Sequence, residues 1–157
     1  MNTILLANQG FKADRKALQY ACNLSQEMKA NLSILEIIPF NKPKNNLEKL
    51  KNNLKKIRMF LEDRMVNITY AESLSLEDYK KIIYQEVKSI NSNLPNKNLI
   101  KPEIYIQQGS LIKEIKNFVN KHRDVLMTIL PVYAFKLNHK GLCQLKKELD
   151  IPLVLIK

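Results

Sequence analysis

Short apolar runs and segments of helical periodicity alternate in the first 38 residues of the chain. Residues 3–7 and 32–38 are nearly continuous apolar runs, which are typical of strands buried on both faces. Between them, apolar residues recur at the spacing of one helical face, at Ala17, Ala21, Leu24 and Met28. The pattern predicts a βαβ unit, whose two strands lie parallel and are joined by a right-handed crossover.

The last third of the chain repeats this alternation. Strand-like runs and helical faces follow one another at 103–107 (strand), 111–122 (helix), 124–130 (strand), 142–149 (helix) and 151–156 (strand). Gly109 and Ser110 form the turn before the first of these helices, and Ser110 suits the N-cap. Pro152 lacks an N–H group, which favours an edge position for the last strand.

Helical periodicity dominates the middle of the chain, with apolar stripes at Leu47–Leu61 and Tyr79–Ile90. We predict one α/β domain over residues 1–157, a three-layer open twisted sheet of five mainly parallel strands with helices on both faces. The region at about 39–101 then forms an inserted or extended helical segment between strands two and three.

Glycine, cysteine and histidine are scarce enough to exclude several kinds of site. The three glycines, Gly10, Gly109 and Gly141, lie far apart, so the chain has no Walker A loop and no GxGxxG turn. Two cysteines and two histidines are too few for most zinc sites, and we expect no metal. Since we find no signal segment and no membrane span, we expect a cytoplasmic protein with reduced thiols.

The net charge of +11 raises the question of a nucleic-acid partner. Residues 39–67 carry much of the excess, with eight basic and three acidic groups. Lys51, Lys55 and Arg58 make one face of the predicted helix there basic. This face lacks the aromatic side chains on which bases stack, so a solvated helix face is favoured over a nucleic-acid site.

The two ends of the chain resemble the universal stress protein family. The similar segments are Ile4–Ala7 with the Gln9-Gly10 turn, Arg15–Ala21, Asn31–Ile38, Gln108-Gly109-Ser110, Asp124–Ile129 and Asp150–Ile156. They cover roughly residues 3–38 and 103–157, in the order of that family's strands and helices. The resemblance implies an open α/β fold and a dimer formed through the last strand.

The departures from the family pattern concern its nucleotide site. Gln9 stands where nucleotide-binding members carry an acidic residue after strand one. The glycines of the family's phosphate loop fall on Ile129 and Val132, with the third on Leu142 or the neighbouring Gly141. Because β-branched residues disfavour the backbone geometry that lets N–H groups approach phosphate, the resemblance implies the branch that does not bind ATP in the usual manner. We expect no cofactor, with ATP and AMP disfavoured.

Gln9, Gly10, Gly109 and Ser110 are the candidate residues of a ligand pocket. They follow strands one and three, and open α/β sheets bind ligands at the carboxyl ends of their strands. The Gln9 amide and the helix N-terminus after Gly109 would supply polar contacts. Ordinary turn chemistry also accounts for these residues, and we favour that interpretation.

The last strand and the thiols are the remaining candidates. Leu153, Val154, Leu155 and Ile156 form an apolar edge that is suited to pairing with its copy in a second chain. Cys143 and His139 lie four residues apart but lack an evident third orienting group, so we expect a buried thiol and solvent-facing imidazoles there. Cys22 lies beside the first helical stripe and is expected in the core.

We therefore predict a non-catalytic domain similar to universal stress proteins. It would act in a stress response as a homodimer and through contacts with an unknown protein partner. The alternatives are a nucleotide or small-ligand sensor that uses the strand-end pocket, and a basic nucleic-acid-binding module.

Overall fold

The computed structural model describes residues 1–9, 14–38, 76–94, 99–132 and 139–157, which form five strands and four helices. In chain order these are β1 (Thr3–Gln9), α1 (Arg15–Glu27), β2 (Asn31–Ile38), α2 (Leu76–Ser92), β3 (Glu103–Gln108), α3 (Leu111–Lys121), β4 (Val125–Pro131), α4 (His139–Glu148) and β5 (Leu153–Ile156). The predicted helix at 47–61 lies outside the described residues. None of the described helices is long and apolar enough to cross a membrane.

All strand pairs are parallel, and the strand order is β3-β2-β1-β4-β5. This confirms the five-stranded parallel sheet. Chain connections run from β1 outward to β2 and β3, and then cross to β4 on the other side of β1. The sheet therefore has a topological switch point between β1 and β4, at the carboxyl ends of its central strands.

Helices cover both faces of the sheet, as the sequence predicts. Alternate residues of β1 and β2, such as Ile4 and Ile34, pack against α1 and α2 on one face. The intervening residues, such as Leu5 and Leu35, pack against α3 and α4 on the other. Because β1 and β2 are buried on both faces, their sequences are mostly apolar at successive positions rather than alternating.

Helix α1 is placed as predicted, but its buried face is rotated. The buried residues are Ala17, Leu18, Ala21, Cys22 and Ser25. Met28 is 41% exposed and lies beyond the last helical residue, so the predicted stripe is wrong at its C-terminal end. Leu18 and Cys22 each follow one of the buried alanines and share the face that packs on the sheet, so the buried face is shifted from the predicted one.

Both ends of α1 are capped by its own chain. The Asp14 carboxylate accepts a hydrogen bond from the Lys16 backbone N–H at 2.9 Å, which defines the N-cap. At the other end, the N–H of Ala30 donates to the carbonyl of Ser25 (2.9 Å) and that of Lys29 to Gln26 (3.2 Å). This is the Schellman motif, and Lys29 occupies its left-handed position with φ of 51°.

Candidate functional site

The carboxyl edge of the sheet carries the first residue of the predicted pocket. Gln9 ends β1, is half-buried, and lies opposite Ile37 of β2. It follows Leu5 and Ala7 in alternation, which places it on the α3/α4 face. Gly10 lies outside the described residues.

Gly109 and Ser110 reach the same edge from the other side of β2. The Gly109 N–H donates to the carbonyl of Ile38 at 2.9 Å, which extends the β2–β3 ladder by one bond. Ile37 lies between Gln9 and Gln107 in the register, so two interstrand spacings of about 4.8 Å separate the turns after β1 and β3. The fold brings the predicted residues to one edge, with β2 between them.

The N-terminus of α3 is occupied by an acidic side chain of the same helix. Ser110 is the N-cap residue, but its hydroxyl makes no capping hydrogen bond. Glu114 lies over Gly109 instead, since a Cβ atom added there would fall 2.5 Å from the Glu114 Oε1 atom. This carboxylate complements the positive end of the helix, and a phosphate at this turn would be repelled by it.

A buried polar group at the same edge was missed by the sequence analysis. Glu36 of β2 is 0% exposed, and the hydroxyl of Tyr79, on α2, donates to its Oε2 atom at 2.8 Å. Burial, followed by the charge and the hydrogen bond of Glu36, raises the pKa of Tyr79 well above 10.0. The available signal was one carboxylate inside an otherwise apolar strand, because such a residue needs a hydrogen-bonding partner.

Asn8 extends this polar group toward the switch point. It is 3% exposed and lies opposite Glu36 in the β1–β2 register, so both side chains belong to the α1/α2 face. Its Oδ1 atom has no hydrogen-bond partner among the described residues. Asn8 and Glu36 therefore place buried oxygen acceptors where parallel sheets bind small molecules, and such acceptors suit ligand N–H or O–H donors.

The positions that correspond to the phosphate-loop glycines of universal stress proteins lie in β4, directly after β4 and in α4. Ile129 lies inside β4, opposite Leu6, and is 0% exposed. Val132 follows the strand directly, and Gly141 is the third residue of α4. A buried isoleucine in a hydrogen-bonded strand cannot serve as a phosphate-binding turn. Residues 133–138 lie outside the described residues.

The last strand lies at an edge of the sheet. β5 pairs with β4 alone, through Thr128–Leu153 to Pro131–Ile156, so its other side has no strand partner within the described residues. Leu155 is 41% exposed, and the other three strand residues are half-buried. The edge position predicted from Pro152 is confirmed, while pairing with a second chain stays a prediction.

The cysteines differ from each other and, in one case, from expectation. Cys22 is 0% exposed in the core, as predicted, and burial raises its pKa to about 12. Cys143 is exposed, so the expectation of a buried thiol is wrong. The reason is helical geometry, because α4 turns Leu145 toward the sheet and leaves Cys143 on its outer side.

His122 was expected to face solvent, but it stacks on Phe118 with a ring-centroid distance of 4.2 Å and is half-buried. The side chain of His139 lies outside what the structure describes, so its relation to Cys143 stays untested. No group of three or more His, Cys, Asp or Glu residues in the described part of the chain is placed to hold a metal ion.

The basic-face candidates Lys51, Lys55 and Arg58 all lie outside the described residues. The nucleic-acid alternative therefore stays a prediction.

Solved structures of universal stress proteins share this fold over nearly the whole chain. UspA from Lactobacillus plantarum superposes with a TM-score of 0.61 at 13% identity, covering 99% of this chain and 97% of that one. The universal stress protein of Archaeoglobus fulgidus in complex with dAMP gives 0.55 at 11%, covering 100% and 98%. Another, in complex with cAMP, gives 0.54 at 9%, covering 99% and 95%. By sequence, no protein-family model and no curated protein matches.

Proposed function

We propose that this chain is a non-catalytic universal stress protein, which acts in the stress response as a homodimer and through protein contacts. The observation that carries the proposal is the agreement of its fold with universal stress proteins over 99–100% of the chain. The parallel order β3-β2-β1-β4-β5 and the apolar edge strand β5 support it.

The dimer is proposed to form by pairing of β5 with its copy. An edge strand presents unpaired N–H and C=O groups, and Leu155 adds an exposed apolar side chain to them. Since β5 lies at one end of the sheet, two copies related by a twofold axis would join two five-stranded sheets into one.

Sedimentation equilibrium with Leu155→Lys tests the dimer. A lysine on this strand places like charges near each other across the twofold axis, so we expect the variant to sediment as a monomer where the parent is a dimer. Lys157→Gln is the control, because it changes charge at the same end of the chain without removing apolar surface. A parent that is monomeric at high concentration contradicts the proposal.

The absence of ordinary ATP binding is supported by three residues. Gln9 is uncharged, Ile129 occupies a phosphate-loop position inside β4, and Glu114 covers the turn at Gly109 with a carboxylate. Thermal unfolding with ATP is the test, since a ligand at 100 times its Kd stabilises by about 2.7 kcal/mol. We expect no shift in Tm with ATP, and a clear shift would overturn this part of the proposal.

A nucleotide sensor is the second candidate, and Asn8 favours it. Its buried Oδ1 acceptor lies at the carboxyl edge without a partner in the described part of the chain. Two of the solved universal stress proteins that share this fold hold dAMP or cAMP. A base amino group is a donor that would suit Asn8, so AMP and cAMP belong in the same thermal series, with Asn8→Leu as the variant. A shift with AMP that Asn8→Leu abolishes would support the sensor.

A further inference from the structure

A cavity of about 560 Å³ opens at the opposite end of the molecule from the carboxyl edge. It lies on the α1/α2 face, where α1 ends and β2 begins, and the segment that leads into β3 forms its other wall. Its volume falls within the range of about 300–1,000 Å³ that is usual for small-molecule sites. Residues that matter for its chemistry are Ser25, Lys29, Leu32, Leu99, Ile100 and Lys101.

Lys29 lines this cavity in an unusual backbone conformation. It is the non-glycine residue with positive φ in the described chain, at the Schellman position that glycine usually occupies. A left-handed conformation costs a lysine more than a glycine, and such strain is concentrated at functional sites. The Lys29 side chain places a positive charge on the cavity wall.

The charge of the wall has one sign. Lys29 and Lys101 are its charged side chains, and the described lining contains no carboxylate. The C-terminus of α1 is the negative end of its helix dipole, which disfavours an anion. The hydrogen bonds that the carbonyls of Ser25 and Gln26 accept from Ala30 and Lys29 reduce this effect, and the two ammonium groups oppose it. The wall therefore favours an anionic group.

Apolar and neutral polar groups complete the lining. Leu32 is buried beneath it, Ile100 is half-buried, and Leu99 is 69% exposed at the entrance. The Ser25 hydroxyl is buried, and no described residue hydrogen-bonds to it. Because this hydroxyl is not exposed, the polar contacts that the wall offers to a ligand come from Lys29 and Lys101.

We propose that this cavity binds a small carboxylate with an apolar chain. The carboxylate pairs with the ammonium groups of Lys29 and Lys101. The chain packs along Leu32, Leu99 and Ile100. This site is independent of the carboxyl edge and of any nucleotide bound there.

Titration of the full-length chain with octanoate, followed by amide NMR, tests the proposal. We expect saturable shifts confined to residues around 25–32 and 99–101. 1-Octanol keeps the chain without the charge, and inorganic phosphate keeps charge without the chain, so each should bind at least tenfold more weakly. Raising the ionic strength should weaken octanoate, because the paired lysines are near the surface.

Two charge-removing variants locate the carboxylate. Lys29→Asn keeps a residue that tolerates the left-handed conformation, and Lys101→Gln lies in an exposed segment. Each should weaken octanoate about tenfold, as expected for the loss of one charge-assisted contact. Lys113→Gln, on the exposed side of α3 across the sheet, is the matched control and should leave affinity unchanged.

Several results would overturn the proposal. These are the absence of saturable octanoate binding, equal binding of octanol, equal binding of phosphate, or shifts located at the carboxyl edge. An equal loss of affinity in Lys113→Gln would also do so, because binding would then depend on net charge rather than on this cavity. Unchanged amide spectra of the ligand-free variants establish that they are folded.

Discussion

Replacing Tyr79 by phenylalanine removes the hydroxyl that donates to the Glu36 carboxylate in the interior. Both residues are 0% exposed, and the two oxygen atoms are 2.8 Å apart. The aromatic ring stays in place, so the change creates no large cavity. The substitution removes one hydrogen-bond donor from a buried carboxylate, so the change in the free energy of unfolding measures the contribution of this hydrogen bond.

We expect a large loss of stability for the removal of a single oxygen atom. A hydrogen bond to a charged group contributes about 1.5–3 kcal/mol, so we take about 2 kcal/mol for Tyr79→Phe. For a chain of 157 residues this lowers Tm by roughly 4–8 °C. The same substitution at Tyr84, on α2 but 44% exposed, should change stability by less than about 0.5 kcal/mol.

The pH dependence of the same pair has a defined sign. The folded pKa of Tyr79 is raised above the unfolded value of 10.0, so unfolding above pH 10 releases a proton from this residue. The stabilisation is fully present below pH 10 and is lost as the pH rises toward the folded pKa. The difference in unfolding free energy between the parent and Tyr79→Phe should therefore be smaller at pH 11 than at pH 8.

Urea denaturation of the parent, Tyr79→Phe and Tyr84→Phe, at pH 8 and pH 11, measures both effects. Lysines that titrate in this range are common to all three proteins and cancel in the differences. If Tyr79→Phe costs no more than Tyr84→Phe at pH 8, the Glu36 hydrogen bond does not stabilise the fold. If the difference in unfolding free energy between the parent and Tyr79→Phe is the same at pH 11 as at pH 8, the pKa of Tyr79 is not raised in the folded protein.

Three further predictions concern the backbone and the thiols. Lys29→Gly should stabilise the protein by about 0.5–1 kcal/mol in urea denaturation, because glycine adopts the left-handed conformation without strain, and a loss would contradict that geometry. Gly109→Ala should lower the free energy of unfolding by about 1 kcal/mol, since the new Cβ meets the Glu114 side chain. In a double-mutant cycle, Glu114→Ala should relieve this cost. If the effects of the two substitutions are additive instead, the contact is refuted. Cys143 should react with a thiol reagent in the native protein, and Cys22, with its pKa raised to about 12, only after unfolding; equal native rates would contradict the assigned burial.

The two ends of this molecule have different chemistry. The carboxyl edge holds the buried acceptors Asn8 and Glu36, and the turn at Gly109 is covered by a carboxylate. The cavity at the amino edge is lined by Lys29 and Lys101. The ligands proposed for the two ends differ accordingly, with hydrogen-bond donors at the carboxyl edge and an anion in the cavity.

Local features of the sequence were enough to predict the strands and most helices. The runs at 3–7 and 32–38 are nearly continuous in apolar residues, and such runs form strands because both faces are buried. The crossover rule then gave parallel pairing, and Pro152 gave the edge position of β5. Element ends differed by one to three residues, as at α4, which begins at His139 rather than near Leu142.

Features that depend on the packing of distant residues could not be predicted. Periodicity gave a helix at α1 but not its rotation, because the sheet selects which neighbouring side chains turn inward. The prediction that the Cys143 thiol is buried was wrong for the same reason. The sequence offered Ser110 as a capping residue, but the folded chain leaves its hydroxyl out of the cap and brings Glu114 over the turn.

The sequence by itself determined the class of fold, the order of its strands along the chain and the scarcity of glycine that disfavours a phosphate loop. Only the tertiary structure joined Tyr79 to Glu36, which are 43 positions apart, and brought residues 99–101 to the end of α1. Strand and helix periodicity are local properties of a few consecutive residues, whereas a buried hydrogen bond or a cavity wall depends on which distant segments share one side of the sheet.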